Sequence, residues 1–270
     1  MRYLFSLMFV LGAVISAPSM AQTAEQKALD IARQADKQDT GYVDERVDVD
    51  MILIHNSGKK LTRESHWRIK ERRTDGDMRL YVFHSPEDQR GAAILSHGHI
   101  DRADDQWIYL PSLGRSLMIS NENRSGSFVG SEFSYEDINS QEIPKFEWRY
   151  LREDTLRGRK VHVSERRPRD PFSGYSKQHL WVDQENLYTM RIESFDRKGT
   201  HFKTAEITGW KLLQGFWRQA KIEMTNHINK NVSILEFSNR SINTGLEAEE
   251  FSVEGFATGE TLFTRGRGGK

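Results

Sequence analysis

The segment His97-Gly98-His99-Ile100-Asp101 carries the side chains of this sequence that are best suited to bind a metal ion. Residues two positions apart in a strand point to the same face, so His97 and His99 would be neighbours. Imidazole nitrogens and carboxylate oxygens are common zinc ligands. The spacing makes a metal-dependent hydrolase using the His97/His99 pair one candidate function.

The same segment resembles the His-x-His-x-Asp motif of metallo-β-lactamase-like hydrolases only in part. That motif normally continues into another histidine, whereas Arg102 follows Asp101 here. The Gly-rich and distant His and Asp elements of those enzymes are not evident in the sequence. We therefore expect no metal site, and the hydrolase is the less favoured alternative.

Other catalytic chemistry finds little support in the composition. The chain has no cysteine, which excludes disulfides, thiolate metal sites and cysteine nucleophiles. It contains neither a Gly-x-Ser-x-Gly elbow nor a phosphate-binding glycine motif. A Ser/His/Asp triad is not excluded, because nine histidines and many serines are present. We expect a protein that is not an enzyme and has no cofactor.

The first residues predict export. Arg2 precedes an apolar run that ends at Ile15, and the small-residue site Ser19-Met20-Ala21 follows. This layout is typical of a secretory signal peptide over residues 1–21, cleaved after Ala21. Because no cysteine is available for a lipid anchor, we expect a soluble periplasmic protein.

The charge balance excludes one class of partner. Without residues 1–21, whose one charged side chain is Arg2, 249 residues remain with 38 basic and 39 acidic side chains. Such a balance gives no general attraction to nucleic acid or to an anionic membrane. We expect a monomer that does not bind nucleic acid.

The remaining sequence predicts one helix followed by a largely β domain. Residues 24–39 repeat alanine and isoleucine at helical spacing, with Thr23 as the N-cap. After Gly41 the pattern alternates with period two, starting with a hairpin around Asn56-Ser57-Gly58. Further strands are predicted over 78–84, 92–97, 106–110, 146–152, 160–165, 177–182, 187–195, 200–210, 216–226 and 231–239.

This organisation predicts a single domain over residues 22–270. A short helix over 246–251 would close it, and a flexible Gly- and Arg-rich tail would follow at about 262–270. Several strands are apolar on both faces, as in Leu80-Tyr81-Val82-Phe83, so both faces of the sheet need cover. Either the sheet curls until its inner face packs on itself, or an apolar ligand fills the hollow.

The segment 126–138, "GSFVGSEFSYEDI", is unusually aromatic for a loop. Ser134 and Asp137 match a capping box, so a short helix is expected to start there. Gly126 and Gly130 would let the chain approach the sheet closely. The aromatic side chains would plug or line one end of the hollow.

Three segments together resemble the outer-membrane lipoprotein-sorting protein family of the LolA/LolB-like superfamily. They are "SPEDQRGAAIL", "DDQWIYLPSLGRSLMI" and "SGSFVGSEFSYEDI", and a fourth, "LWVDQENLYTMRIESFDRKGTHFKTAEITGW", is similar to the later family pattern. The resemblance covers nearly all of the chain after residue 21. It implies a mainly β (α+β) fold, in which an antiparallel sheet of about 11 strands curves into an incomplete barrel lidded by short helices.

The resemblance also implies a function. Carriers of this superfamily hold the acyl chains of lipids or lipoproteins in the hollow, and related proteins accompany RND-type (MMPL-like) exporters. The sequence departs from the family pattern after Leu110-Pro111, where relatives often carry several basic residues. Only Arg115 is basic in this turn, which weakens the expectation that it contacts an acidic partner or head group. The alternative is a periplasmic adaptor of an exporter that never carries cargo, with its hollow filled by its own side chains.

A carrier needs an apolar lining, and aromatic side chains are the best candidates for it. The lining residues that we predict are Phe83, Trp107, Tyr109, Phe128, Phe133, Tyr135, Trp148 and Trp181.

Overall fold

The computed structural model of the protein describes residues 22–139 and 141–257. The expected signal peptide over 1–21 and the expected tail over 262–270 lie outside the described residues. None of the helices in the described part of the chain is long and apolar enough to cross a membrane.

The first helix, α1, spans Ala24–Asp39, as its sequence pattern predicts. The Thr23 side chain accepts a hydrogen bond from the Gln26 amide at 3.1 Å, which satisfies one free N–H of the first turn. The buried residues of α1 are Ala28 and Ile31. Because most of its apolar stripe is alanine, the helix can lie close to the sheet.

Strands make up most of the remaining described residues. In chain order they are β1 Asp44–Ile54, β2 Lys60–Lys70, β3 Met78–Ser85, β4 Ala93–His97, β5 Asp105–Leu110, β6 Arg115–Met118, β7 Phe146–Leu156, β8 Arg159–Pro168, β9 Tyr175–Asp183, β10 Thr189–Asp196, β11 His201–Thr208, β12 Lys211–Leu213, β13 Phe216–Arg218, β14 Lys221–Asn226 and β15 Val232–Ile242. Two further helices, α2 (Tyr135–Ile138) and α3 (Val253–Ala257), are short. Single 3₁₀ turns span Glu87–Gln89, Asn121–Asn123, Phe128–Gly130, Ile143–Lys145 and Ala248–Phe251.

Thirteen of these strands form one antiparallel sheet in the order β6-β5-β4-β3-β2-β1-β15-β14-β11-β10-β9-β8-β7, and β12 pairs with β13 separately. Apart from the β1–β15 and β11–β14 pairs, neighbours in the sheet are consecutive in the chain. Within the described residues, the edge strands β6 and β7 do not pair with each other, so the sheet stays open. This confirms the predicted incomplete barrel.

Local differences account for the larger number of strands, which include β12 in a segment where no strand was predicted. The predicted strand over 200–210 ends at Thr208, because Gly209 adopts a left-handed conformation (φ +70°) that interrupts the ladder. The predicted strand over 216–226 is divided into β13 and β14. The strand β6 was not predicted from the sequence.

The sheet is apolar on both faces, as the β3 sequence indicates. Tyr81 and Phe83 belong to a buried cluster on the inner face, whereas Leu80 and Val82 belong to one on the outer face. The outer cluster is covered by the C-terminal segment, which contributes Leu246, Phe251 and Phe256.

The inner cluster is covered by segment 126–138. Phe128 is fully buried, and its ring centroid lies 5.9 Å from that of Tyr81 in an edge-to-face arrangement. The predicted capping box of Ser134 and Asp137 is present at the start of α2. At Gly126, a side chain is not tolerated, since a Cβ atom would lie 2.9 Å from the Asn123 carbonyl oxygen. The segment therefore fills one part of the hollow.

Candidate functional site

A cavity of about 400 Å³ lies between α1 and the inner face of the sheet. Ile69 and Arg79 line it, and each lies two positions along its strand from a residue of the inner cluster, Trp67 and Tyr81. Alternate residues of a strand share a face, so the cavity and the inner cluster are parts of one hollow. The volume is within the range of about 300–1,000 Å³ that is usual for small-molecule sites.

Helix α1 forms the roof of this cavity. Ala28, Ala32 and Ala35 face the cavity at spacings of three and four residues. Ile31 packs against Leu180 of β9 in a small buried cluster. The small alanine side chains leave the space between helix and sheet unfilled.

The floor of the cavity is apolar where β7 and β9, the two neighbours of β8, pass beneath α1. Trp148, Leu180 and Val182 line it, and Leu180 and Val182 are 6% and 7% exposed. Trp148 is held in place by a 3.0 Å hydrogen bond from its indole Nε1 to the Ile143 carbonyl. This part of the cavity offers hydrocarbon surface to a ligand.

One side of the cavity is closed by an ionic cluster in which Glu45, Arg218 and Arg240 are largely buried and Asp39 is exposed. Arg218 of β13 donates to Glu45 at 2.7 Å and to Asp39, the last residue of α1. Arg240 of β15 donates to the second oxygen of Glu45. Burial lowers the pKa of Arg218, but the charges of Asp39 and Glu45 outweigh burial and raise it above the ordinary value. These charges neutralise one another and hold the end of α1 to the sheet.

Arg166 of β8 is in a different situation. It is 5% exposed, donates from Nε to the Gln178 amide oxygen at 2.8 Å, and has its guanidinium carbon 4.3 Å from the centroid of the Phe146 ring. Burial lowers the pKa of Arg166 to about 10, so the group keeps its charge at neutral pH. Ser164, two residues earlier, is 3% exposed and lines the same cavity.

The eight aromatic residues predicted to line the hollow are dispersed. Trp148 lines the cavity. Phe83, Phe128 and Phe133 are buried in the inner cluster, with Tyr135 packed against it. The other three do not line the cavity: Trp107 and Tyr109 pack with Leu80 and Phe251, and Trp181 packs with Val161 and Val163. Contact of these residues with a ligand remains a prediction.

Four aromatic side chains outside the predicted set also line the cavity, namely Tyr42 before β1 and a cluster of Tyr188, Trp210 and Trp217. Tyr188 and Trp210 stack with ring centroids 4.6 Å apart, and Trp217 meets Tyr188 edge-to-face at 5.3 Å. Tyr188 lies in the turn before β10, whereas Trp210 and Trp217 lie next to and within the β12–β13 ribbon. The sequence signal that could have identified them is the presence of aromatic residues in turns. Segment 126–138 shows the same feature.

The two histidines of the motif contact different partners. His97 Nε2 lies 2.7 Å from the Phe251 carbonyl oxygen, whereas His99 lies between Asp75 (2.7 Å) and Asp105 (3.0 Å). Burial raises the pKa of Asp75, but hydrogen bonds from His99 and from two backbone amides outweigh it and lower the pKa to about 2. Within residues 22–139 and 141–257, no group of three or more His, Asp or Glu side chains is arranged to hold a metal ion.

Comparison with known proteins gives the same fold. A family model described as "Uncharacterized protein" matches residues 75–258. A domain named for outer membrane lipoprotein sorting, from Vibrio parahaemolyticus, has a similar crystal structure with a TM-score of 0.85 and 37% sequence identity, covering 86% of this chain and 99% of that chain. No curated protein matches the chain.

Two more distant solved structures share the architecture. A DUF1329 family protein from Desulfovibrio piger has a TM-score of 0.81 at 24% identity, covering 85% of this chain and 98% of that chain. A LolA superfamily protein from Nitrosomonas europaea has a TM-score of 0.68 at 21% identity, covering 83% and 97% of the two chains. At these identities the similarity concerns the fold.

Proposed function

Because the chain belongs to the outer-membrane lipoprotein-sorting protein family of the LolA superfamily, we propose that it is a periplasmic, non-catalytic carrier of lipid or lipoprotein acyl chains. The cavity between α1 and the inner face of the sheet would hold the cargo. The observation that carries the proposal is the unfilled space of about 400 Å³ beneath α1, on an apolar floor.

Shielding from water supplies the binding energy in this mechanism. Burial of each methylene group contributes roughly 0.8 kcal/mol. Loss of ligand freedom offsets part of this gain. A long acyl chain in contact with Trp148, Leu180 and Val182 would therefore bind with a net gain of several kcal/mol. An adaptor without cargo would instead be expected to fill its hollow with its own side chains.

Release requires the cavity to open or the cargo to find a better site. Helix α1 is the natural moving part because it covers the cavity; it packs on β7, and its last residue, Asp39, pairs with Arg218. We propose that cargo passes toward the outer membrane when α1 moves, with an inner-membrane RND- or MMPL-type exporter as a partner.

Native mass spectrometry of the protein purified from the periplasm, followed by lipid extraction, tests the proposal. We expect a lipid or lipidated peptide bound at one per chain. A matched pair of variants locates it: Ala32→Trp fills the cavity from α1, whereas Gln34→Trp places the same side chain on the exposed face of that helix.

Bound lipid that is lost in the Ala32→Trp variant and kept in the Gln34→Trp variant supports the carrier. Protein that is folded but free of lipid in every preparation, and that binds no alkyl probe in vitro, contradicts the carrier and favours the adaptor. Stoichiometric zinc that is lost on replacing both His97 and His99 would favour the hydrolase.

A further inference from the structure

The cavity contains a buried cation that has no counter-ion within 4 Å in the part of the chain that the structure describes. Four arginines line the cavity. Arg79, Arg218 and Arg240 form ion pairs with Asp77, Glu45 and Asp39. Among the described residues, Arg166 forms no ion pair, and its hydrogen bond to Gln178 uses only Nε.

The nearest carboxyl groups do not neutralise Arg166 directly. Asp137 and Glu136 raise its pKa by their charge but are outweighed by burial. Asp137 accepts hydrogen bonds from the Ser134 amide (2.8 Å) and the Tyr175 hydroxyl (2.7 Å). Glu136 accepts from the Ser173 hydroxyl (2.6 Å) and the Gly174 amide (2.8 Å). A buried charge without a close partner is costly, so a bound anion would be strongly favoured there.

Three other donors in the lining are buried without a hydrogen-bond partner among the described residues, and one of them is the indole Nε1 of Trp210. The other two are the Ser164 hydroxyl and the Nε of Arg79. Ser164 lies two residues from Arg166 on β8, so both point to the same face of the strand. Arginine binds carboxylate and phosphate oxygens through two parallel hydrogen bonds, and a hydroxyl can complete such a site.

Hydrocarbon surface begins directly beside these donors. Arg166 is the register partner of Trp148 on β7, and Ser164 is the partner of Leu180 on β9. From Gln178 through Leu180 to Val182, alternate residues of β9 extend the inner face by about 13 Å at the usual rise of a strand. The cavity therefore has a polar end at Arg166 and an apolar path leading away from it.

We infer that the cargo is an amphiphile with one alkyl chain and an oxyanion head, a carboxylate or a phosphate, whose head binds Arg166 and Ser164. The chain would lie along Leu180 and Val182 under α1. A volume of about 400 Å³, near the lower end for ligand sites, suits one chain better than several. The inference rests on the proposed carrier function and adds the chemical class of the cargo.

Titration calorimetry with four probes that share a dodecyl chain tests the head group. They are dodecanoate, dodecyl phosphate, dodecanol and dodecyltrimethylammonium, each below its critical micelle concentration and with the full-length mature protein. We expect at least one anionic probe to bind about tenfold or more tightly than dodecanol, and the cationic probe to bind most weakly. Acetate and inorganic phosphate serve as controls that carry the anionic group without the alkyl chain.

Variants on β8 assign the effect to Arg166. Arg166→Gln should remove the preference for the anion while dodecanol still binds, and Arg166→Lys should restore part of it because lysine keeps the charge without the bidentate geometry. Arg167→Gln is the matched control, since this neighbouring arginine is exposed and pairs with Glu165. Ser164→Ala removes only one hydroxyl, so it should weaken the binding of the anionic probe by a smaller factor, severalfold.

The outcomes separate this inference from the proposed function. If dodecanol binds as tightly as the anions, or Arg166→Gln keeps the preference for the anions, the inference of an anionic head group is contradicted. The proposed carrier function is not affected by that result. If acetate or inorganic phosphate binds as tightly as the dodecyl anions, the site is for a free anion and the amphiphile is wrong. If no dodecyl compound binds to folded protein, both proposals fail.

Discussion

The guanidinium of Arg218 on the β12–β13 ribbon is bonded to the carboxylate of Asp39, the last residue of α1. The same guanidinium donates to buried Glu45 on β1, so the contact ties the end of the helix to the sheet. Helix α1 is the roof of the cavity. We therefore expect its attachment at this end to affect how easily the cavity opens.

We expect Asp39→Asn to loosen α1 without unfolding the protein. The Asp39 side chain is well exposed (63%), and exposed ion pairs contribute about 0.2–1 kcal/mol, so global stability should fall by less than about 1 kcal/mol. Hydrogen exchange over residues 24–39 and the release of a bound alkyl probe should both become faster. Asp36→Asn, on the same helix and without an ion pair among the described residues, is the control; equal effects of the two substitutions would contradict the role of the Arg218 contact.

Asp44 should be a major source of stability. Its carboxylate, 1% exposed, accepts hydrogen bonds from the backbone amides of Thr244 (2.6 Å), Gly245 (3.0 Å) and Leu246 (3.1 Å). Hydrogen bonds to charged groups contribute about 1.5–3 kcal/mol each, so we expect Asp44→Ala to lower the free energy of unfolding by about 3 kcal/mol in urea denaturation. The exposed Asp50→Ala change should have little effect.

The contribution of Asp44 should also depend on pH. Burial raises its pKa, but the hydrogen bonds from residues 244–246 outweigh it and hold the pKa below the ordinary value of 3.8. The stabilisation is therefore complete above about pH 4 and is lost as the pH falls below the ordinary value. A stability difference between wild type and Asp44→Ala that grew with acidification would contradict this assignment.

Glu136 should give the opposite pH dependence. Burial, followed by the charge of Asp137, raises its pKa from 4.5 to about 7. The folded protein thus keeps a proton that the unfolded chain releases, and stability should fall as the pH rises from about 4.5 to about 7. Glu136→Gln should remove this slope, measured as melting temperature against pH, whereas Glu147→Gln, at an exposed position, should leave it unchanged.

Phe128 should behave as a core residue. It is fully buried against Tyr81, Phe83 and Tyr135. Truncation of a buried phenylalanine typically costs about 3–5 kcal/mol, so we expect Phe128→Ala to destabilise the protein by this amount in urea unfolding. Phe172→Ala, at a side chain that is 39% exposed, is the matched control. A loss below about 1 kcal/mol for Phe128→Ala would show that the segment is not part of the core.

Much of the fold could be predicted because local patterns determine it. The alanine stripe and Thr23 define α1, and Ser134 with Asp137 defines the start of α2. The period-two pattern indicated a largely β domain, and the family resemblance implied an open antiparallel sheet. The apolar residues on both faces predicted that both would be covered. Each of these features depends on residues that are close together in the sequence. It can therefore be predicted without knowledge of the tertiary structure.

The location of the cavity lining depended on tertiary structure. Trp107 and Trp148 occur in similar apolar strands, yet Trp107 packs on the outer face and Trp148 lines the cavity. When both faces of a strand are apolar, alternation does not identify the inner one. Curvature of the sheet and the position of α1 decide it, and they also bring Tyr188 and Trp217 together from distant turns.

The sequence by itself determined the family, the open β architecture and the need to cover two apolar faces. Only the tertiary structure decided that segment 126–138 fills one part of the hollow while α1, with its small alanines, leaves another part empty. It also decided that Arg166, one of many arginines in the sequence, is buried in that space without an ion pair to any described residue. The physical reason is that burial and charge pairing arise between strands far apart in the chain, where no local pattern records them.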